Sequence, residues 1–228
     1  METTNPGRIA DLLGRPVLVL DTETSGLDPT TNYVIELGAI LYDSSGSEKR
    51  RLSTVIRLPD GVTLPPKITE ITGITPDQVA AGIDRGVAMA RLEEMMSFPL
   101  DTEPPVLVAH NAPFDLAFVK AEMQRVYAHV HMDHDFIDTL SLARLVDLPY
   151  PHKLANVAEN LGIKFEGEAH RAMNDLLTTA HVAARLYELS LERKRPIVNA
   201  ICFNPKYPLP PRPHDRTIYY QWFAQKGA

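Results

Sequence analysis

Short apolar runs ending in polar residues dominate the first quarter of the chain. PVLVLDTE (16–23), YVIELGAILYD (33–43) and RLSTVIRL (51–58) have strand length and strand composition. The turn-rich connections SGLDPTTN and DSSGSEK are short, which favours antiparallel neighbours. Prolines and glycines mark 59–75 as loop. Residues 84–96 follow a helical period, with Ala88, Leu92, Met95 and Met96 on one side.

The second half alternates strands with helices. VLVAH (106–110) predicts a short buried strand behind Pro104 and Pro105. It leads into a helix with Phe114, Phe118, Ala121 and Arg125 at helical spacing and Pro113 in the first turn. FIDTL (136–140) predicts a fifth strand, followed by helices over 140–147 and 153–161. The longest periodic segment runs from Ala172 to Leu191, with Leu176, Ala180, Ala183, Leu186 and Leu189 as its buried stripe. Strands first and strand–helix alternation afterwards predict an α/β fold, a mixed five-stranded sheet flanked by helices. Beyond Leu191 come the charge run ERKR and six prolines between Pro196 and Pro213. The expected division is a domain over 1–190 and a proline-rich C-terminal appendage over 191–228.

Composition narrows the class. With 44% hydrophobic and 23% charged residues, the 228-residue chain has the make-up of a folded globular protein. A single cysteine, Cys202, excludes an internal disulfide and any zinc site built on cysteine pairs. Neither a signal peptide nor an apolar run near the roughly 18 residues of a membrane span is visible, so no membrane association and a cytoplasmic location are expected. The net charge of −6 argues against holding nucleic acid by bulk charge. It leaves room for an enzyme that grips a few phosphates through metal ions.

Three segments carry candidate chemistry. Asp21 and Glu23 stand two apart at the end of the first strand, so both carboxylates point to one face. Such a pair repels unless a cation lies between them, although a strand end open to water would also accommodate it. Asp115, in HNAPFD, falls in the first turn of the helix after the 106–110 strand, where the helix dipole favours an acid. In HRAMND, His170 and Asp175 are five residues apart, about 140° around a helix, and can converge only if His170 precedes the helix. Oxygen-only ligands suit Mg²⁺ or Mn²⁺, and four carboxylates suffice for two such ions. A neutral histidine would supply the base that the acids cannot.

VLVLDTETSGLD, LVAHNAPFDLAF and EAHRAMNDLLTTAHV closely resemble, in order, the three motifs of the DEDDh 3′→5′ exonucleases, over roughly residues 16–190. The match is nearest to the epsilon-like proofreading exonucleases. The resemblance implies a ribonuclease H-like fold, with Asp21, Glu23, Asp115 and Asp175 as ligands of two divalent cations and His170 as general base. It implies a substrate surface including Thr22, Thr24, Leu27 as an apolar wedge, Ile74 in ITGIT, Asn111 and Phe114. Asp138 matches a supporting acid outside the ligand set. The implied substrate is single-stranded DNA or a frayed 3′ end, with RNA trimming as the alternative and a non-catalytic module bridging to a polymerase as the third reading. Proofreading would need a polymerase partner in trans, and dimers occur in the family.

Three further features stay outside this set. His129, His131 and His134 form a histidine-rich stretch that reads as a polar connection or a zinc site. PLPPRP (208–213) reads as a polyproline ligand or as a stiff tail packed on its own domain. ERKR reads as a backbone-gripping patch or a solvated helix end.

Overall fold

The computed structural model describes residues 5–97, 104–127, 132, 134–164 and 172–195. Its elements are α1 (Arg8–Leu13), β1 (Val17–Thr24), β2 (Val34–Tyr42), β3 (Glu48–Val55), α2 (Pro66–Thr72), α3 (Pro76–Ala80), α4 (Arg85–Met96), β4 (Val106–Ala109), α5 (Ala112–Val126), β5 (Phe136–Asp138), α6 (Thr139–Leu145), α7 (Leu154–Asn160) and α8 (Ala172–Glu192). The five strands form one mixed sheet in the order β3-β2-β1-β4-β5. The first three are antiparallel, while β4 and β5 run parallel to β1.

Period-two alternation sorts the strand residues onto two faces. Val17, Val19, Ile40, Val106 and Val108 pack beneath α1, α6, α7 and α8. Leu18, Leu20, Leu37, Leu41 and Leu107 pack beneath α4 and α5. β1 lies at the centre, covered on both faces, so the carboxylates at its end sit at the rim of a dry interior. The α8 stripe matches the sequence pattern: Leu176, Ala180, Ala183 and Leu186 are buried, and Leu189 packs partly against the same core. Each buried leucine contributes roughly 1.5–3 kcal/mol relative to exposure. That burial fixes α8 on the sheet and with it Asp175 in its first turn.

Several boundaries differ from those expected. α1 occupies a segment with no predicted element, burying Ile9 and Ala10. The third strand starts at Glu48, earlier than 51, because Asp43 accepts N–H bonds from Ser45 and Ser47 and closes a tight turn. Its leading residues Glu48–Arg51 are polar because β3 is an edge strand. The 59–75 stretch is not all loop. It contains α2, whose Pro66 stands at the helix start and whose Gly73 (φ 71°) ends it in the left-handed conformation. β5 ends at Asp138, which caps α6. α8 continues to Glu192, one residue past the expected end at Leu191. Within ERKR, Glu192 pairs with Arg185, and Arg195 pairs with Asp147. His134 donates from Nε2 to the Met96 carbonyl at 3.1 Å. His129, His131 and PLPPRP lie outside the described residues. No helix among the described residues is long and apolar enough to cross a membrane.

Candidate active site

β1 delivers Asp21 and Glu23 to the sheet face covered by α8, and α8 delivers Asp175 to the same place. One carboxylate oxygen from each of these three lies within 4.8 Å of the others. Directly across the β1–β2 ladder, Gly38 faces Asp21 and Glu36 faces Glu23. Opposed residues of an antiparallel pair project to one side, so the nearly buried Glu36 adds a further carboxylate beside the cluster. Its signal in the sequence was an acid inside a nine-residue strand that is otherwise apolar or glycine. The β1–β2 register was needed to see where that acid goes.

Asp115 arrives from the opposite face. It lies in the first turn of α5, buried, and its Oδ1 accepts the Thr22 N–H at 2.9 Å and the Thr22 hydroxyl at 2.8 Å. Thr22 therefore ties this carboxylate to β1 between Asp21 and Glu23. Asp138 fixes the start of the helix. Its Oδ1 accepts the backbone N–H groups of Asn111 (2.8 Å) and Ala112 (3.2 Å), and its Oδ2 accepts the Ser141 hydroxyl at 2.7 Å. Asn111 turns the chain with φ 67° and ψ 45°, a conformation asparagine tolerates. Asp138 is thus a support for the strand-to-helix turn that sets Asp115 in position.

The electrostatics follow from crowding acids at a dry rim. Surrounding protein strips Asp21 of hydration, and the charges of Asp115, Glu23, Asp175 and Glu36 add to this, so its pKa stands well above the usual carboxylate range. Burial pushes Asp115 up to about 7 even though the Thr22 hydrogen bonds pull it down. A divalent cation would relieve both effects, and the oxygen-only donors suit a hard ion. The clustered donors and their displaced pKa values therefore fit a metal-holding site.

The expected substrate residues divide. Leu27 is 63% exposed at the tip of the β1–β2 connection. Thr24 donates to the Gly26 carbonyl at 2.6 Å, holding that turn. Phe114 is half-buried, its ring centroid 4.9 Å from that of Phe118. Ile74 packs into a small core with Ile35, Leu58, Leu64 and Val79 and is 1% exposed. His170 lies outside the described residues. His110, half-buried at the end of β4, is bonded to the Thr139 hydroxyl and the His152 carbonyl, and loss of hydration lowers its pKa.

A family model described as "Exonuclease" matches residues 18–183. The chain belongs to the DEDDh-type exonuclease family. Over 172 residues it is 33% identical to the PolC-type DNA polymerase III of Thermotoga maritima, covering 75% of this chain and 12% of that protein. It is 35% identical over 160 residues to the DNA polymerase III epsilon subunit of Treponema pallidum, covering 68% of each. The chain thus spans about an eighth of the PolC-type relatives and two thirds of the epsilon subunit. Among solved structures, E. coli exonuclease I in complex with a dT13 oligonucleotide shares the fold. The TM-score is 0.67 at 21% identity, over 79% of this chain and 42% of that one. The mixed sheet is accordingly the ribonuclease H-like sheet of these exonucleases.

Proposed function

We propose that the chain hydrolyses phosphodiester bonds one nucleotide at a time from the free 3′ end of single-stranded or frayed DNA. The observation that carries this reading is the gathering of Asp21, Glu23 and Asp175 within 4.8 Å, with Asp115 held beside them by Thr22. The oligonucleotide in the exonuclease I complex supports a single-stranded substrate. The epsilon and PolC-type relatives support work alongside a polymerase supplied in trans. We assign residues 1–190 to the nuclease domain and 191–228 to an appendage.

Asp21, Glu23, Asp115 and Asp175 would hold two divalent cations, Mg²⁺ or Mn²⁺. When bound, such ions neutralise charge on the scissile phosphate and lower the pKa of water. The protein's own groups do the rest. Leu27 presents an apolar surface to the terminal base, and Phe114 and Asn111 line the approach along the start of α5. Thr22 holds Asp115, Thr24 shapes the turn, and Ile74 backs the wall from within. His170, neutral near pH 7, accepts a proton from the water attacking phosphorus. The bond from phosphorus to the 3′ oxygen of the shortened strand breaks, leaving that strand a 3′-hydroxyl and releasing a nucleoside 5′-monophosphate.

A site built around a strand terminus needs a terminus. With Mg²⁺ present, a linear single-stranded DNA should be degraded while a circular one of the same sequence stays intact over the same period. Cutting of the circle at a comparable rate would make the protein an endonuclease.

A further inference from the structure

The exposed Leu27 sits in the β1–β2 connection, which is anchored from α5 by an ionic cluster that the chemistry above does not use. Glu122 is completely buried. Its Oε1 accepts the Val34 N–H at 2.9 Å and pairs with Arg125 Nη1 at 2.8 Å, and its Oε2 pairs with Arg85. Arg125 Nη2 donates to the Pro29 carbonyl at 2.6 Å and the Thr30 carbonyl at 3.3 Å. Both guanidiniums rest on the Tyr33 ring, 4.5 Å from its centroid for Arg125 and 4.8 Å for Arg85. Tyr33 in turn accepts the Ser25 N–H through its carbonyl, and its own N–H is bonded to the Ser25 hydroxyl. Burying a carboxylate this completely is tolerable only with charged partners and further hydrogen bonds. Here those partners meet the 25–33 connection in its middle, at Pro29 and Thr30, and at its far end, at Tyr33, which in turn holds Ser25.

The consequence is geometric. α5 carries Asp115 in its first turn and Arg125 in its last, so one rigid helix sets the distance between the ligand carboxylates and the Leu27 turn. A loop that contacts substrate gains precision when a scaffold element holds it. We propose that Glu122, Arg125 and Arg85 are positioning residues that lock the Leu27 turn over the carboxylate cluster and so set how tightly the 3′-terminal nucleotide is held. This rests on the reading of Leu27 as a substrate contact.

The test combines steady-state kinetics on a short linear single-stranded DNA with hydrogen exchange of the 25–33 amides. Arg125→Ala should raise KM by roughly 10- to 100-fold, the scale of a misplaced positioning contact, and change kcat by no more than about threefold. Arg125→Lys keeps the charge but loses the two-carbonyl fork and the flat stacking surface, so it should fall in between. Because the cluster acts through Leu27, Arg125→Ala should add little to the KM of Leu27→Ala, a non-additivity that a general loss of stability would not produce. The doubly neutral Glu122→Gln, Arg125→Met variant removes the buried charge together with one of its two cationic partners and should raise KM in the same way. Additive effects, or an unchanged KM in the doubly neutral protein, would overturn the proposal. If the wild-type protein degrades no strand at all, the exonuclease reading fails. Exchange then decides the clamp by itself: faster exchange of 25–33 in Arg125→Ala upholds it, and unaltered exchange overturns it.

Discussion

Asp21→Asn should abolish hydrolysis, by at least roughly 10³-fold, while making the metal-free protein more stable. The two effects share a cause. Asp21 stands among Asp115, Glu23, Asp175 and Glu36 at a rim where burial already disfavours its charge. Its folded-state pKa is raised, so the native state binds a proton more tightly than the unfolded chain does. Stability contributed by the protonated form is therefore present below the ordinary carboxylate range near pH 4 and is lost as pH rises through the raised value. In chelator, the variant should melt above the wild type at pH 7 to 8, and the gap should close as pH falls toward 4. Added Mg²⁺ or Mn²⁺ should lift the wild-type midpoint, more at pH 8 than at pH 5, and lift the variant's little. Calorimetry with and without cation checks each part. A variant that melts lower than the wild type in chelator would show that Asp21 is a structural acid.

His170→Ala should act on rate alone. A general base lost from a hydrolytic site typically costs 10²–10⁴-fold in kcat, and a base is no ligand, so the metal-dependent rise in melting midpoint should persist. The wild-type rate should fall on the acid side as the imidazole protonates, and the residual rate of the variant should lack that limb. Single-turnover hydrolysis across pH, beside a metal titration for each protein, separates the roles. Near wild-type turnover would remove His170 from the chemistry, and loss of the metal response would make it a ligand.

The sheet was legible because strands buried on one or both faces have to display their pattern. β1, β2 and β4 are apolar runs bounded by turn residues, and α8 carries its stripe openly. Short elements were not. α1 is six residues long and has too few turns to express a helical period. α2 hid in a stretch whose prolines were read as breakers and α3 just after it in a segment assigned no element, although Pro66 and Pro76 stand at helix starts and Thr75 with Gln78 forms a capping box ahead of α3. At the site, Asp21 and Glu23 share a face as their spacing suggested, and Asp175, whose part in the set only the family resemblance implied, lies beside them. The hold of Thr22 on Asp115, the approach of Glu36 and the reach of Glu122 and Arg125 to the Val34 and Pro29 backbone each join residues on different elements. Pairing register and helix packing create those contacts, and neither leaves a local mark in the chain.

The most direct measurement follows a linear single-stranded DNA labelled at its 5′ end, incubated with the protein and Mg²⁺. Removal of nucleotides from the 3′ end predicts a ladder of labelled strands shortening in single steps, with label reaching the mononucleotide last, and a strand that stays full length when chelator is present. Immediate release of labelled mononucleotide, or a ladder that chelator leaves untouched, would contradict a metal-dependent 3′→5′ exonuclease.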